Sequence, residues 1–71
     1  MASTIAWQIS DDFELMIDEG EFDCLSSANE WLVDTVQRVA KSHTQSDKID
    51  IYTFADDSQI SFKGNNYRVE A

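Results

Sequence analysis

The feature that most constrains the fold is an apolar stripe in the middle of the chain. Its members recur at spacings of three and four residues, which is the period of one face of an α-helix. They are Leu25, Ala28, Leu32, Val36 and Val39. The stripe predicts one amphipathic helix over about 26–42, whose apolar side must pack against another element.

Polar residues at both ends of this segment support the predicted helix. Ser27 is followed three residues later by Glu30, which matches a capping box whose hydroxyl and carboxylate satisfy free amides of the first turn. Three cationic or titratable residues, Arg38, Lys41 and His43, cluster near the other end. Cations at that end complement the carbonyl pole of the helix dipole.

Three short runs after the helix predict β-strands, because β-branched and aromatic residues alternate there with polar ones. The runs are 49–54, 59–63 and 66–70. Turn-forming residues at 55–58 and 64–66 separate them, which predicts a three-stranded meander. Tyr52 and Phe54 compete with the two isoleucines of the first run for the core side, and the pattern leaves that choice open.

The N-terminal segment allows two interpretations. Apolar residues alternate with polar or small ones in two runs, Ile5, Trp7, Ile9 and Phe13, Leu15, Ile17. This alternation favours a β-hairpin with a turn at 10–12. A short helix over 11–19, capped by Ser10 and stopped by Gly20, is the alternative. With the hairpin, we expect one α+β domain over residues 1–71 in the order β-β-(β)-α-β-β-β.

Acidic residues are concentrated in the first 37 positions. The chain has 14 acidic and 5 basic residues, for a net charge of −9 at pH 7. All five basic residues follow position 37, where five acids balance them, so the net charge belongs to the N-terminal part. Such a charge excludes direct binding to nucleic acid or to anionic membranes.

The residue inventory also excludes several kinds of chemistry. Cys24 is the only cysteine and His43 the only histidine, so neither a disulfide, a zinc cluster nor a Ser/His/Asp triad is expected. The acid clusters do not fit a calcium-binding loop, and so short a chain has little interior for a catalytic carboxylate. We therefore expect no enzyme activity, metal or cofactor, and we interpret Cys24 as a small buried hydrophobe.

The lone cysteine and the N-terminus indicate a compartment. A single cysteine suits a reducing environment. Residues 1–9 lack the basic start and long apolar stretch of a signal peptide, and no apolar run approaches the length of a membrane span. We expect a cytoplasmic protein.

Two tryptophans have alternative roles. Trp31 lies at the shoulder of the helical stripe, so it either packs at the core edge or, exposed beside Glu30 and Asp34, anchors a partner. Trp7, between two isoleucines, is expected in the core. Were Asp12, Glu14 and Asp18 on one strand face, their side chains would repeat at multiples of ~7 Å, which is near the spacing of phosphates along a nucleic-acid strand.

The size, acidity and C-terminal hairpin carry a resemblance. The hairpin begins at Tyr52, passes through Asp56 and Asp57, and continues to Asn66 and Tyr67. In these features the chain resembles small acidic phage-encoded inhibitors, including some anti-CRISPR proteins. The resemblance implies a protein that blocks a nucleic-acid-binding complex by occupying its basic surface, and it transfers no functional residue.

The sequence thus predicts a non-enzymatic acidic module that docks on a basic protein or protein complex, as an inhibitor. The expected interface is Asp11, Asp12, Glu14, Asp18, Glu19, Glu21, Asp23, Glu30, Trp31 and Asp34. The alternative is a small accessory subunit that homodimerises or joins a larger assembly through an open sheet edge or a helix.

Overall fold

Two helices precede a four-stranded antiparallel sheet. The structure is a computed structural model that describes residues 3–70. The elements are α1 (Ile5–Asp18), α2 (Leu25–Val39), β1 (Ser42–Ser46), β2 (Ile49–Thr53), β3 (Gln59–Lys63) and β4 (Asn66–Glu70). The α+β class is confirmed. The predicted order β-β-(β)-α-β-β-β is wrong, because the N-terminal segment is helical and the sheet has an additional strand before β2.

The helix α1 takes the place of the expected N-terminal hairpin. Its buried side chains are Ala6, Ile9, Ser10 and Phe13, which follow the spacing of one helical face. The alternation of larger apolar residues favoured a strand because it treated Ala6 and Ser10 as outward-facing. The alternative helix over 11–19 has the right type but begins too late, and Ser10 is a buried residue rather than a cap.

The first turn of α1 is capped partly from far along the chain. The Thr4 hydroxyl accepts a hydrogen bond from the amide three residues later, at 3.3 Å. The amide of Ile5 donates to the Asp56 carboxylate at 2.8 Å, and the amide of Ala6 donates to the Ser58 hydroxyl at 3.1 Å. Because Asp56 and Ser58 belong to the β2–β3 connection, these caps form only when the sheet and α1 come together.

The end of α1 follows the predicted glycine stop. Gly20 has a φ of 73°, the left-handed conformation that glycine adopts without a steric penalty. The amide of Glu21 donates to the carbonyl oxygen of Met16 at 3.0 Å. The amide of Gly20 donates to the carbonyl oxygen of Ile17, also at 3.0 Å. These two bonds form a Schellman motif, which satisfies carbonyls of the last turn.

The helix α2 is the predicted amphipathic helix, but its bounds differ. It ends at Val39 because Ala40 is extended, with a ψ of 140°, and the chain turns there into β1. The capping box expected from Ser27 and Glu30 is wrong. Cys24 is the N-cap and its side chain makes no capping hydrogen bond, so Ser27 lies inside the first turn.

The sheet is a meander in the order β1-β2-β3-β4, with every neighbouring pair antiparallel. The strand β1 begins at the last position of the helix predicted over about 26–42, precedes the three predicted strands, and has only exposed side chains. Asp47 and Lys48 connect it to β2 with φ values of 50° and 67°. Positive φ at both central residues is the mark of a type I′ hairpin turn, which fixes the register of the β1–β2 pair.

One side of the sheet faces the helices and the other is uncovered. Tyr52, Phe54 and Ile60 are buried on the helix side. Ile49 and Ile51 alternate with Tyr52 along β2 and therefore lie on the opposite side. The competition for the core side is thus decided in favour of the aromatic residues.

Aromatic side chains join the two helices to the sheet. Phe13 of α1 stacks on Trp31 of α2, with ring centroids 6.0 Å apart, and meets Tyr67 of β4 edge to face at 5.7 Å. Phe22, in the connection between the helices, packs against both Phe13 and Trp31 at 6.2 Å. The hydroxyls of Ser10 and Tyr67 are hydrogen-bonded at 2.9 Å. These contacts fix the orientation of α1, and with it the direction in which its acids point.

Candidate protein-binding surface

The outer side of α1 carries five of the acids expected at the interface. Helical geometry places exposed side chains of α1 in two parallel rows, with ~5–6 Å between neighbouring Cβ atoms. One row holds Trp7, Asp11, Glu14 and Asp18, and the other holds Asp12 and Leu15 and continues to Glu19, the C-cap residue that follows the helix. We call these seven residues the acidic face of α1. All seven are exposed.

The spacing within this face is helical, which corrects the strand-based expectation. Asp12, Glu14 and Asp18 do not repeat at multiples of ~7 Å along a strand, because all three lie on a helix, with Asp12 in a different row from the other two. Glu14 and Asp18 are one turn apart in the same row. The acids therefore form a band two rows wide instead of a single line.

Two large apolar side chains belong to the acidic face, Trp7 before its first acid and Leu15 among the acids. Trp7 is 45% exposed and Leu15 is 55% exposed. The expectation that Trp7 lies in the core is wrong, because the buried side of α1 is formed by Ala6 and Ile9 and turns Trp7 outward. Exposed tryptophan within a polar rim is typical of binding hot spots.

Acids of the C-terminal half contact basic or histidine side chains, whereas the acids of the acidic face do not within residues 3–70. Within residues 3–70, four contacts join a basic or histidine side chain to a carboxylate, and three of them lie in the C-terminal half. These three are the ion pairs Lys41–Asp57 and Arg68–Glu70 and the hydrogen bond between His43 and Asp50. The fourth is the ion pair of Asp34 with Arg38 along α2, at 3.1 Å. None of these pairs involves an acid of the acidic face, whose charge is therefore left to the solvent or to a partner.

The other predicted interface residues do not join this face. Glu21 and Asp23 are exposed in the connection between the helices. Trp31 is half-buried and turned toward Phe13, so it packs at the edge of the core. The predicted set is therefore divided among α1, the connection and α2.

Glu30 and Asp34 border a groove between α2 and the β3–β4 hairpin. The groove has a volume of about 430 Å³. Its lining consists of Asn29, Glu30, Leu32, Val33, Asp34, Gln37, Phe62, Gly64, Asn65 and Tyr67. We call it the α2 groove. No sequence pattern indicated it, because its two walls come from segments about 30 positions apart that only the folded chain brings together.

Cys24 differs from its expected role as a buried hydrophobe. Its side chain is exposed at the N-cap of α2. The Ser27 hydroxyl, 3.5 Å from the sulfur, and then the Ser27 backbone amide hold the pKa of the thiol below its ordinary value. A helix N-terminus favours the thiolate in the same sense.

Ligand-bearing clusters and membrane-crossing helices are not seen in the part of the chain that the structure describes. Over residues 3–70, no three acidic, histidine or cysteine side chains converge as metal ligands would. Over the same residues, neither helix combines the length and apolar character needed to cross a bilayer.

Comparison with known proteins identifies no family. Family models, curated proteins and solved structures give no match to the chain. The geometry and charge of the acidic face and the α2 groove are the features from which a function is inferred.

Proposed function

We propose that this protein is a non-enzymatic binding module whose acidic face of α1 docks on a basic surface of a partner protein. One observation carries the proposal: five acids with no ion-pair partner within residues 3–70 share one exposed helix face with two exposed apolar side chains, Trp7 one turn before the acids and Leu15 among them. A solubilising surface needs the charge but has no use for an exposed tryptophan on the same face.

The placement of the acids is unfavourable for α1 itself. The first turn of α1 has no acid, and its acids lie in the middle and at the C-terminal end. Negative charges near a helix C-terminus oppose the helix dipole, and Glu14 and Asp18 repel each other one turn apart. Positive charges of a basic partner would offset both effects. Docking would then be favoured by this relief of repulsion within α1 as well as by the ion pairs formed with the partner.

A basic surface made for nucleic acid is the partner that fits best. Such surfaces are positively charged over long distances, and the field that attracts phosphates also attracts an acidic helix. The resemblance to small phage-encoded inhibitors, anti-CRISPR proteins among them, leads to the same proposal. The protein would act in the cytoplasm by blocking access of nucleic acid to its partner.

The proposal assigns no reaction to the acids. General acid or base catalysis requires a carboxyl group whose pKa is tuned in a desolvated pocket. The acids of the acidic face stand on the convex side of a helix, open to solvent. They are suited to steering and docking instead.

Capture from the source cell at graded salt tests the proposal with a matched pair of variants. In the first, Asp11→Asn, Asp12→Asn, Glu14→Gln and Asp18→Asn remove four negative charges. In the control, Ser42→Lys, Thr44→Lys, Gln45→Lys and Ser46→Lys on the exposed strand β1 change the net charge equally. We expect the first variant to lose a basic partner that the wild type and the control both retain. Equal capture by all three proteins would contradict the proposal.

A second candidate function rests on the uncovered side of the sheet. Ile49 and Ile51 lie there, and β1 is an exposed edge strand. An accessory subunit would use this side, or the edge, to homodimerise or to join a larger assembly. Sedimentation at low and high salt tests it, since a dimer indifferent to salt supports this candidate and a monomer at all concentrations contradicts homodimerisation.

A further inference from the structure

The α2 groove is lined by apolar rings and side chains, and its border carries negative charge. Leu32, Val33, Phe62 and Tyr67 supply the apolar surface, and of these only Leu32 is fully buried. Its volume of about 430 Å³ lies in the range of pockets that hold small ligands or a few side chains. The groove is thus large enough for more than one side chain of a partner.

The charged residues that line the groove are both acidic. The lining residues include two carboxylates, Glu30 and Asp34, and no basic residue. Glu30 is exposed and takes part in none of the ion pairs seen within residues 3–70. Asp34 is paired with Arg38, but both side chains are about two-thirds exposed, and such pairs exchange partners at little cost.

The groove is separate from the acidic face of α1. Trp31 points from α2 toward α1, whereas Val33 lies on the opposite flank of α2 and lines the groove. The partner residues that contact the acidic face of α1 therefore cannot also fill the α2 groove. A second segment of the partner must occupy the groove.

We propose that the α2 groove receives an arginine-bearing segment of the basic partner, with an apolar residue next to the arginine. The inference rests on the proposed function for the existence of a basic partner, and it adds the residue type that the partner inserts. The acidic border of the groove favours a cationic side chain from the partner. The apolar lining favours a partner segment in which an apolar residue stands next to that cation.

Arginine fits this groove better than lysine does. The guanidinium group is planar and weakly hydrated, so it can lie on the ring of Phe62 or Tyr67 while it donates to a carboxylate. Glu30 supplies a carboxylate at the border, and a carboxylate can accept two parallel hydrogen bonds from arginine. The ammonium group of lysine is a compact, strongly hydrated charge that gains less from an aromatic surface.

The test titrates the full chain with a defined peptide, acetyl-Gly-Leu-Arg-Leu-Arg-Gly-amide, and follows backbone amide shifts by NMR. We expect the shifts to concentrate at Val33, Phe62 and Tyr67. A peptide with lysine in place of both arginines should bind about 5-fold more weakly. Equal affinity for the two peptides, or shifts confined to α1, would overturn the inference.

Two variants and one matched control separate this inference from the proposed function. Glu30→Lys should weaken peptide binding by about 10-fold, and Val33→Trp should weaken it by filling the groove without changing the charge. Glu14→Lys makes the same charge change on the acidic face and should leave peptide affinity within about 2-fold. If Glu14→Lys weakens binding and the groove variants do not, the inference is overturned while docking through α1 stands.

The partner experiment described above reports on the proposed function alone. The four-residue neutralisation on α1 leaves the α2 groove intact, so loss of capture by that variant supports the acidic face irrespective of the peptide result. Peptide binding that responds to Glu30→Lys and Val33→Trp supports the groove irrespective of the capture result. The two experiments therefore distinguish a failure of the groove inference from a failure of the proposed function.

Discussion

The carboxylate of Asp56 accepts a hydrogen bond from the backbone amide of Ile5 at 2.8 Å, although the two residues are 51 positions apart. Asp56 also accepts a hydrogen bond from the hydroxyl of Ser58, and Ser58 in turn accepts one from the amide of Ala6. The β2–β3 connection therefore acts as the cap of α1. This contact ties the element that carries the acidic face to the sheet.

The first prediction concerns the buried member of this cap. Ser58 is 2% exposed, and Ala6 is fully buried. Ser58→Ala leaves the amide of Ala6 without a partner, so it should lower the free energy of unfolding by about 1–3 kcal/mol. Urea unfolding measures this, with Ser46→Ala on the exposed edge strand as control, expected to change stability by less than about 0.5 kcal/mol. Equal effects would show that the cap contributes nothing specific.

The second prediction concerns pH. The Ser58 hydroxyl first, and then the Ile5 amide, hold the pKa of Asp56 below its ordinary value. The ionised carboxylate is thus favoured in the folded state, so its stabilising effect is present at neutral pH and lost as the pH falls below about 4. Asp56→Ala should lower Tm at pH 7, and the difference from the wild type should shrink toward pH 3. A constant difference across this range would contradict the account.

The third prediction concerns the thiol of Cys24. Because the Ser27 hydroxyl lowers the pKa of the thiol, alkylation by iodoacetamide should begin at lower pH than alkylation of a cysteine in an unstructured peptide. Ser27→Ala should move the reactivity profile to higher pH. Gln37→Ala, farther along α2, is the control and should leave the profile unchanged. A profile that is the same in Ser27→Ala and wild type would show that this hydroxyl does not set the pKa.

The fourth prediction concerns the stability of α1. Glu14 and Asp18 repel each other one turn apart, and Asp18 is the last residue of the helix. The double variant Glu14→Gln, Asp18→Asn should raise Tm by about 2–4 °C at low salt, and by less at high salt. Asp23→Asn removes an acid just before the N-terminus of α2, where the helix dipole favours a negative charge, and should not raise Tm. A rise of equal size in both would mean that net charge, and not placement, sets the effect.

The strands β2, β3 and β4 could be predicted because each carries its own alternation of apolar and polar residues. The helix α2 could be predicted for the same reason, because its own apolar stripe contains its buried side chains Ala28, Leu32 and Val36. For β1 there was no such signal. Its side chains are all exposed, and only backbone pairing with β2 and the turn at Asp47 and Lys48 make it a strand.

The N-terminal segment was misread because two periods coexist in it. Ile5, Trp7 and Ile9 alternate as in a strand, while the helical stripe depends on the small residues Ala6 and Ser10. Contacts with the rest of the fold decide between the strand and the helix. The β2–β3 connection caps the first turn, and the aromatic contacts of Phe13 bury the helical stripe.

The location of the acids in the first 37 residues was evident from the sequence, but their common face was not. Five of them share the outer side of α1 only because that segment is a helix. The α2 groove was beyond reach for a related reason, since its walls meet only through the packing of α2 on β3 and β4.

The central claim is that the acidic face of α1 makes the contact with a basic partner, and the salt dependence of that complex tests it most directly. With the captured partner purified, the dissociation constant is measured between about 50 and 500 mM salt, where screening of exposed charges is strong. The account predicts a steep rise of the dissociation constant with salt for the wild type and the β1 lysine control, and a shallow one for the variant neutralised at Asp11, Asp12, Glu14 and Asp18. The same steep slope in all three proteins would contradict it.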